Sequence, residues 1–236
     1  MQTILHLAAD RKKVNFGWLN SYHSFSFGNY YDAAKTNFGA LRVLNDDTIN
    51  GGTGFGKHPH DNMEIISIPL KGALQHEDTT GTKAIINAND VQIMSAGTGL
   101  QHAEKNHSKT EETSFLQIWI FPKKEDITPR YDQKSFDPLL RKNQLQVVVS
   151  PTDADAVWIN QDAWLSRFDP DAGNKTIYTI RQKGNGVYVF VLEGSITIDN
   201  QVLQARDALG IWDTDSINLS ANRASQVLFI DVPMNI

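Results

Sequence analysis

The sequence predicts an all-β protein built from two small barrels, and three observations carry that expectation. Apolar alternations of strand length recur along the chain, separated by Gly, Asn and Asp turns. The pattern stops in a proline- and charge-rich stretch, 122–143, and then starts again. The halves also share an order: EIISIPLKGALQHED and YVFVLEGSITIDN both read strand, glycine turn, strand, while IMSAG and LGIWD each follow a polar turn ending in Asp. One barrel duplicated within the chain accounts for all three. The expected division is a first domain over 1–124, a linker over 125–142 and a second domain over 143–236.

The elements follow in order. Residues 14–32 interleave aromatics with small polar residues; Ser24 to Phe27 alternate like a strand and Gly28-Asn29 turns the chain. This cluster reads as core or a barrel lid, with His23 structural. GALRVL is a short strand leading into an expected turn over NDDTINGGTG. The β-branched run from Glu64 to Leu70 is a strand, Lys71-Gly72 turns it, and ALQHED-TTGT-KAIIN forms a hairpin. In FLQIWIF, Leu116, Ile118 and Ile120 alternate with Phe115, Gln117 and Trp119, which predicts a strand packed on both faces. His107 falls in the polar loop KNHSKTEETS and is expected to be solvated. In the second half, Val187 to Leu192 is apolar throughout and reads as a central strand.

Composition narrows the classes. The 236 residues are 40% hydrophobic, enough for real cores, so dominant disorder is excluded. The net charge of −5 and the absence of long basic runs argue against nucleic acid or an anionic membrane as a direct partner. There is no cysteine, so any metal must be held by nitrogen and oxygen. No apolar run approaches the ~18 residues of a membrane helix, and the start MQTILHLAADRKKV lacks the pattern of a secretory signal, so a cytoplasmic protein is expected.

Two stretches carry chemistry. In GFGKHPHDNME, His58 and His60 stand at i and i+2 of an extended segment, so their side chains leave the same face and can grip one ion. Pro59 between them suits a strand edge. In MSAGTGLQHAEKN, a glycine turn precedes His102 and Glu104 at the same spacing. If both strands line one cavity, these four side chains make a His3Glu site that leaves one or two positions open on a divalent ion. Open positions mean catalysis or ligand binding, because structural sites are closed. The donors suit iron, manganese, cobalt, nickel, copper or zinc, with iron taken first. His76 is a candidate cavity residue, and Phe55, Met63 and Met94 are candidate pocket lining.

The HxH and glycine-turn–His motifs resemble the two cupin motifs. Together with GWLNSYHSFSFGNYYD, HPHDNMEIISI, GTGLQHAEKN and ITPRYDQ they resemble the pirin family of bicupins, including its members similar to bacterial quercetin 2,3-dioxygenases. The resemblance implies two jelly-roll cupin domains packed face to face, with metal only in the first, since no histidine follows His107. It implies His58, His60, His102 and Glu104 as ligands, and it places Glu64, the usual cupin carboxylate, outside the ligand set. The implied reaction is the opening of a flavonol ring by dioxygen, with the substrate enolate on the metal and Glu104 as the catalytic base. The alternative is a monomeric, metal- or redox-dependent regulatory protein that meets a protein partner without turnover.

Overall fold

The computed structural model describes residues 1–235, almost all in strands and tight turns. The helical turns among these residues are two short 3-10 segments, Ala8–Asp10 and Pro138–Arg141, and no helix is long and apolar enough to cross a membrane.

Each half of the molecule pairs a seven-stranded sheet with a four-stranded one. In the first barrel the large sheet runs, in spatial order, Arg130–Ser135, Asp90–Ser95, Glu64–Lys71, Thr113–Ile120, Leu41–Ile49, Leu19–His23 and Lys12–Asn15. Its small sheet runs Gly54–His60, Leu100–Asn106, Ala73–Asp78 and Lys83–Asn87. In the second barrel the large sheet is Gln2–His6, Ala208–Trp212, Asn185–Glu193, Gln226–Pro233, Trp164–Phe168, Gln146–Ser150 and Val157–Trp158. The small sheet is Lys175–Thr179, Ser216–Ala221, Ser195–Ile198 and Gln201–Gln204.

The two large sheets pack face to face, and the alternation of each strand decides what goes where. Ile66, Ile68, Leu116, Ile118 and Ile120 point outward and share one buried cluster with Val148, Leu165, Tyr188, Phe190 and Ile230 of the second barrel. Their neighbours Ile65, Phe115 and Trp119 point into the first barrel. The FLQIWIF strand is therefore covered on both faces, as its pattern requires. Glu64 lies on the outward parity: its Oε2 accepts from the Ser95 hydroxyl at 2.8 Å and from the backbone N–H of Asn160 in the second barrel at 3.1 Å. It joins the domains and does not face the barrel interior.

The repeat is visible at two corners. Gly72 (φ +76°) and Gly194 (φ +86°) each carry the chain from the large sheet to the small one. A Cβ on Gly72 would stand 2.5 Å from Thr113 Oγ1, and one on Gly194 2.3 Å from Ser225 Oγ, so both conformation and space demand glycine.

Four expectations need correction. The strand expected over Ser24 to Phe27 is instead Leu19–His23, and the aromatics beyond it lie in a loop closed by a Phe27–Tyr30 bridge. The turn expected from Asn45 is a continuation of the strand Leu41–Ile49; Asn and Asp favour turns in isolation, but here they are sandwiched between two partner strands. The expected linker contains Arg130–Ser135, paired along its length with Asp90–Ser95. It is polar because an edge strand has one free side, not because it is a spacer. Finally, the first strand, Gln2–His6, belongs to the second barrel, where it pairs with Ala208–Trp212. His6 is buried there, its Nδ1 2.8 Å from the Tyr188 hydroxyl.

Candidate metal centre

The HxH strand and the HxE strand are antiparallel neighbours, with His58 directly opposite His102. That pairing draws the imidazoles of His58, His60 and His102 together, at ring-centre separations of 4.5–4.9 Å. The Nε2 atoms of His58 and His102 are 3.1 Å apart. Two nitrogens at right angles on one ion at ~2.1 Å would be separated by roughly 3.0 Å, so the spacing suits shared coordination. His58 Nδ1 lies 2.7 Å from the Gly56 carbonyl, to which it can only donate, and this leaves the lone pair on Nε2. His60 Nε2 is buried with no partner among the described residues.

Burial keeps two of these rings, His60 and His102, neutral. It lowers His60 to about 4, helped by the neighbouring His102 and His58. His102 is lowered to about 3, again mainly by burial and then by His58 and His76. Neutral imidazole is the ligating form.

Glu104 is 1% exposed and sits two residues beyond His102 on the same face. Ser67 Oγ lies 2.6 Å from Oε1, and Gln117 Nε2 donates to Oε2 at 2.7 Å. Each oxygen keeps a further lone pair for a cation or a proton. A second triad, His76, His102 and Glu104, shares His102 with the three-histidine group, so the carboxylate adjoins the imidazole cluster. His76 is fully buried; its Nε2 is 2.9 Å from Asp78 and its ring lies 5.4 Å from that of His102. Burial alone would raise Asp78, but hydrogen bonds from Thr80, His76 and the backbone outweigh it and hold the acid below the usual range.

Ser67 and Gln117 belong to a polar row that crosses the large sheet: Gln92, Ser67, Gln117, Asn45 and His23 are successive partners on the barrel-facing side. Above and below this row the barrel is apolar, with Leu19, Ile49, Leu74 and Phe115 at one level and Ile65, Met94 and Leu100 at the other. The candidate site is thus a polar band between two greasy layers. Trp119 closes one side, its ring 4.9 Å from His60 and 5.2 Å from Phe27.

A cavity of about 580 Å³ opens beside this band, walled by Phe16, Phe27, Tyr30 and Phe55 and ending at Ser21, Asn45 and Asp47. Of the three residues expected to line the pocket, Phe55 lines this cavity, Met63 lines a separate one beside Phe121, and Met94 packs in the apolar layer around Ile65. Sequence reasoning missed Ser67, Gln117, Asn45 and Asp47. The alternation Val43, Asn45, Asp47, Ile49 was the available signal for the last two.

Two β-barrels packed through their sheets, with clustered histidines in one alone, define a two-domain cupin. Comparison with known families agrees: the Pirin family model matches residues 7–120 and the model for the quercetinase C-terminal cupin domain matches 147–232. The chain is 42% identical to quercetin 2,3-dioxygenase of Escherichia coli over 97% of its own length and 98% of the relative's. It is 40% identical to a pirin-like protein of Caulobacter vibrioides, over 92% and 94%. The crystal structure of the bacterial pirin YhhW of Escherichia coli in complex with nickel(II) superposes with a TM-score of 0.93 at 40% identity, covering both chains completely. The chain belongs to the pirin family.

Proposed function

We propose that His58, His60, His102 and Glu104 hold one divalent transition-metal ion and that the chain is a dioxygenase opening the ring of flavonols such as quercetin. The observation that carries this is the convergence of three imidazoles and an adjoining carboxylate beside an aromatic-walled cavity. The names of the relatives support the reaction class: a quercetin 2,3-dioxygenase at 42% identity spans the same length. The nickel complex of the Escherichia coli pirin supports a divalent ion in this fold. Nitrogen and oxygen donors suit iron as well as the other ions of the first transition row.

When bound, such an ion would acidify the flavonol 3-hydroxyl and favour reaction of the resulting enolate with dioxygen. The protein's own groups do the rest. Glu104 takes the hydroxyl proton on an oxygen lone pair not used by Ser67 or Gln117, and those two donors keep the carboxylate aimed while it does so. The Gly56 carbonyl fixes the His58 tautomer. Phe27 and Trp119 shield the imidazoles on one side and keep water from the reacting ring.

The test is oxygen consumption with quercetin by protein reconstituted in turn with each candidate ion. Uptake that depends on the ion, and on both His60 and Glu104, is expected. No uptake with any ion, or uptake undiminished in Glu104→Ala, overturns the proposal.

A further inference from the structure

The polar end of the cavity is built from side chains that the metal centre does not use. Ser21, Asn45 and Asp47 sit on the barrel-facing side of adjacent strands, with Ser21 directly opposite Asp47. They are 2%, 2% and 3% exposed. The Ser21 hydroxyl and one side-chain oxygen each of Asn45 and Asp47 make no full hydrogen bond among the described residues. Groups buried this deeply are normally satisfied; these oxygens have almost no accessible surface, and because all three residues line one cavity a small side-chain rotation presents them to it as acceptors. His23, the next polar group along the row, adds an unpartnered Nδ1. Burial lowers His23 to about 4, with Arg11 and Lys12 lowering it further, so this nitrogen belongs to a neutral ring.

The walls restrict what can reach those acceptors. Phe55 follows Gly54 on the strand that carries His58 and His60, and pairs across to Glu104. Phe27 reaches the site through Trp119. A ligand on this floor therefore stands against aromatic rings on the side of the cavity nearest the histidines. Lys12, the basic residue in the wall, has its Nζ 5.7 Å over the Tyr30 ring and does not neutralise the floor.

We infer that Ser21, Asn45 and Asp47 form a hydroxyl-recognition subsite for a planar phenolic ligand, which donates hydrogen bonds to these oxygens while its rings lie along the aromatic wall. An apolar flavone skeleton fills the wall but leaves the acceptors unpaired, and an anionic ligand meets the carboxyl group of Asp47. Discrimination here is strong because a site built to accept hydroxyl protons is penalised when they are missing. Asp47 itself is raised to about 7, chiefly by burial and further by Asp46 and Glu104; Ser21 pulls the other way, although its contact falls short of full hydrogen-bond geometry. Its carbonyl oxygen accepts in either protonation state.

This inference rests on the flavonol reading, and the experiment separates the two. Binding of quercetin and of unsubstituted flavone to the protein as purified is followed by quenching of tryptophan fluorescence, with metal content measured on each preparation. Wild type is expected to prefer quercetin. In Asp47→Ala that preference falls by about tenfold or more, with metal content unchanged, and in Ser21→Ala by a few-fold. A preference unaltered in both variants, or equal losses for both ligands, overturns the subsite. Should oxygen uptake be absent while the Asp47-dependent preference persists, the reaction fails and the subsite stands. Uptake with a preference indifferent to Asp47 has the opposite meaning.

Discussion

The two barrels share one topology and differ at the level where the first places its chemistry. Counted from the corner glycines, Ser67 corresponds to Val189 and His76 to Ile198. Strand pairing extends the match: Gln117, opposite Ser67, corresponds to Phe229, and Glu104, opposite His76, to Leu219. Two residues earlier, His102 and its partner His58 correspond to Ile217 and Tyr178. The second barrel fills all these places with one apolar cluster. Of its buried polar groups Ser166 keeps an unpartnered hydroxyl opposite Phe229, whereas Asp231 accepts from Asn185 at 2.7 Å, from the Arg181 backbone at 2.9 Å and from the Tyr178 hydroxyl at 3.1 Å. One copy is thus packed largely as an apolar core and the other carries a row of buried polar side chains beside a cavity. The lesson is that the second barrel supplies the rigid sheet on which the first sheet rests, and so lets the first spend its interior on a site.

The comparison can be broken at its strongest point with His60→Ala. Loss of most of the bound metal and a fall in oxygen uptake of roughly a thousandfold or more are expected, with the second barrel unaffected; metal analysis beside the oxygen electrode checks both. Next in size is Val189→Gln, which puts at the place matching Ser67 the amide side chain that Gln92 and Gln117 carry in the first barrel's row. It buries an amide without partners and should cost about 2–3 kcal/mol in denaturant unfolding, because no ligand is present there to satisfy it. Gln117→Leu does the reverse and should weaken metal affinity by roughly 10- to 100-fold while secondary structure is retained, since Glu104 loses the donor that aims it. Equilibrium titration against a competing chelator reads that change.

The last test is the acid limb of stability. His6 and His23 are lowered to about 4 by burial first of all, and His60 to about 4 and His102 to about 3 for the same chief reason. Their unfolded values lie near 6.5, so between pH 6.5 and 4 the unfolded chain binds more protons than the native one. Stability is therefore full above pH 6.5 and is lost as pH falls through that window. The melting temperature should drop by several degrees, and a bound ion should delay the drop by competing for the site histidines. A flat profile would mean that these rings are not held neutral.

Much of the candidate site's clustering was legible. HxH and HxE each put two donors on one strand face by the two-residue period alone, and the absence of histidine beyond His107 confined the cluster to one half. The supporting groups were not. Ser67 and Gln117 look like ordinary polar residues in apolar strands until the register places one opposite the other and both against Glu104. Asn45 and Asp47 were hidden by their own chemistry, since turn formers inside a strand read as a turn until flanking strands are known to bracket them.

By itself the sequence determined the strand alternation, the twin glycine corners and the duplicated order, because side-chain periodicity and positive φ are properties of neighbouring residues. Tertiary structure decided which strands meet. It sent Gln2–His6 to the far barrel, kept Arg130–Ser135 on the near one and turned Glu64 toward Asn160. Those outcomes depend on partners distant along the chain, and no local pattern encodes a hydrogen bond to a strand that has not yet been placed.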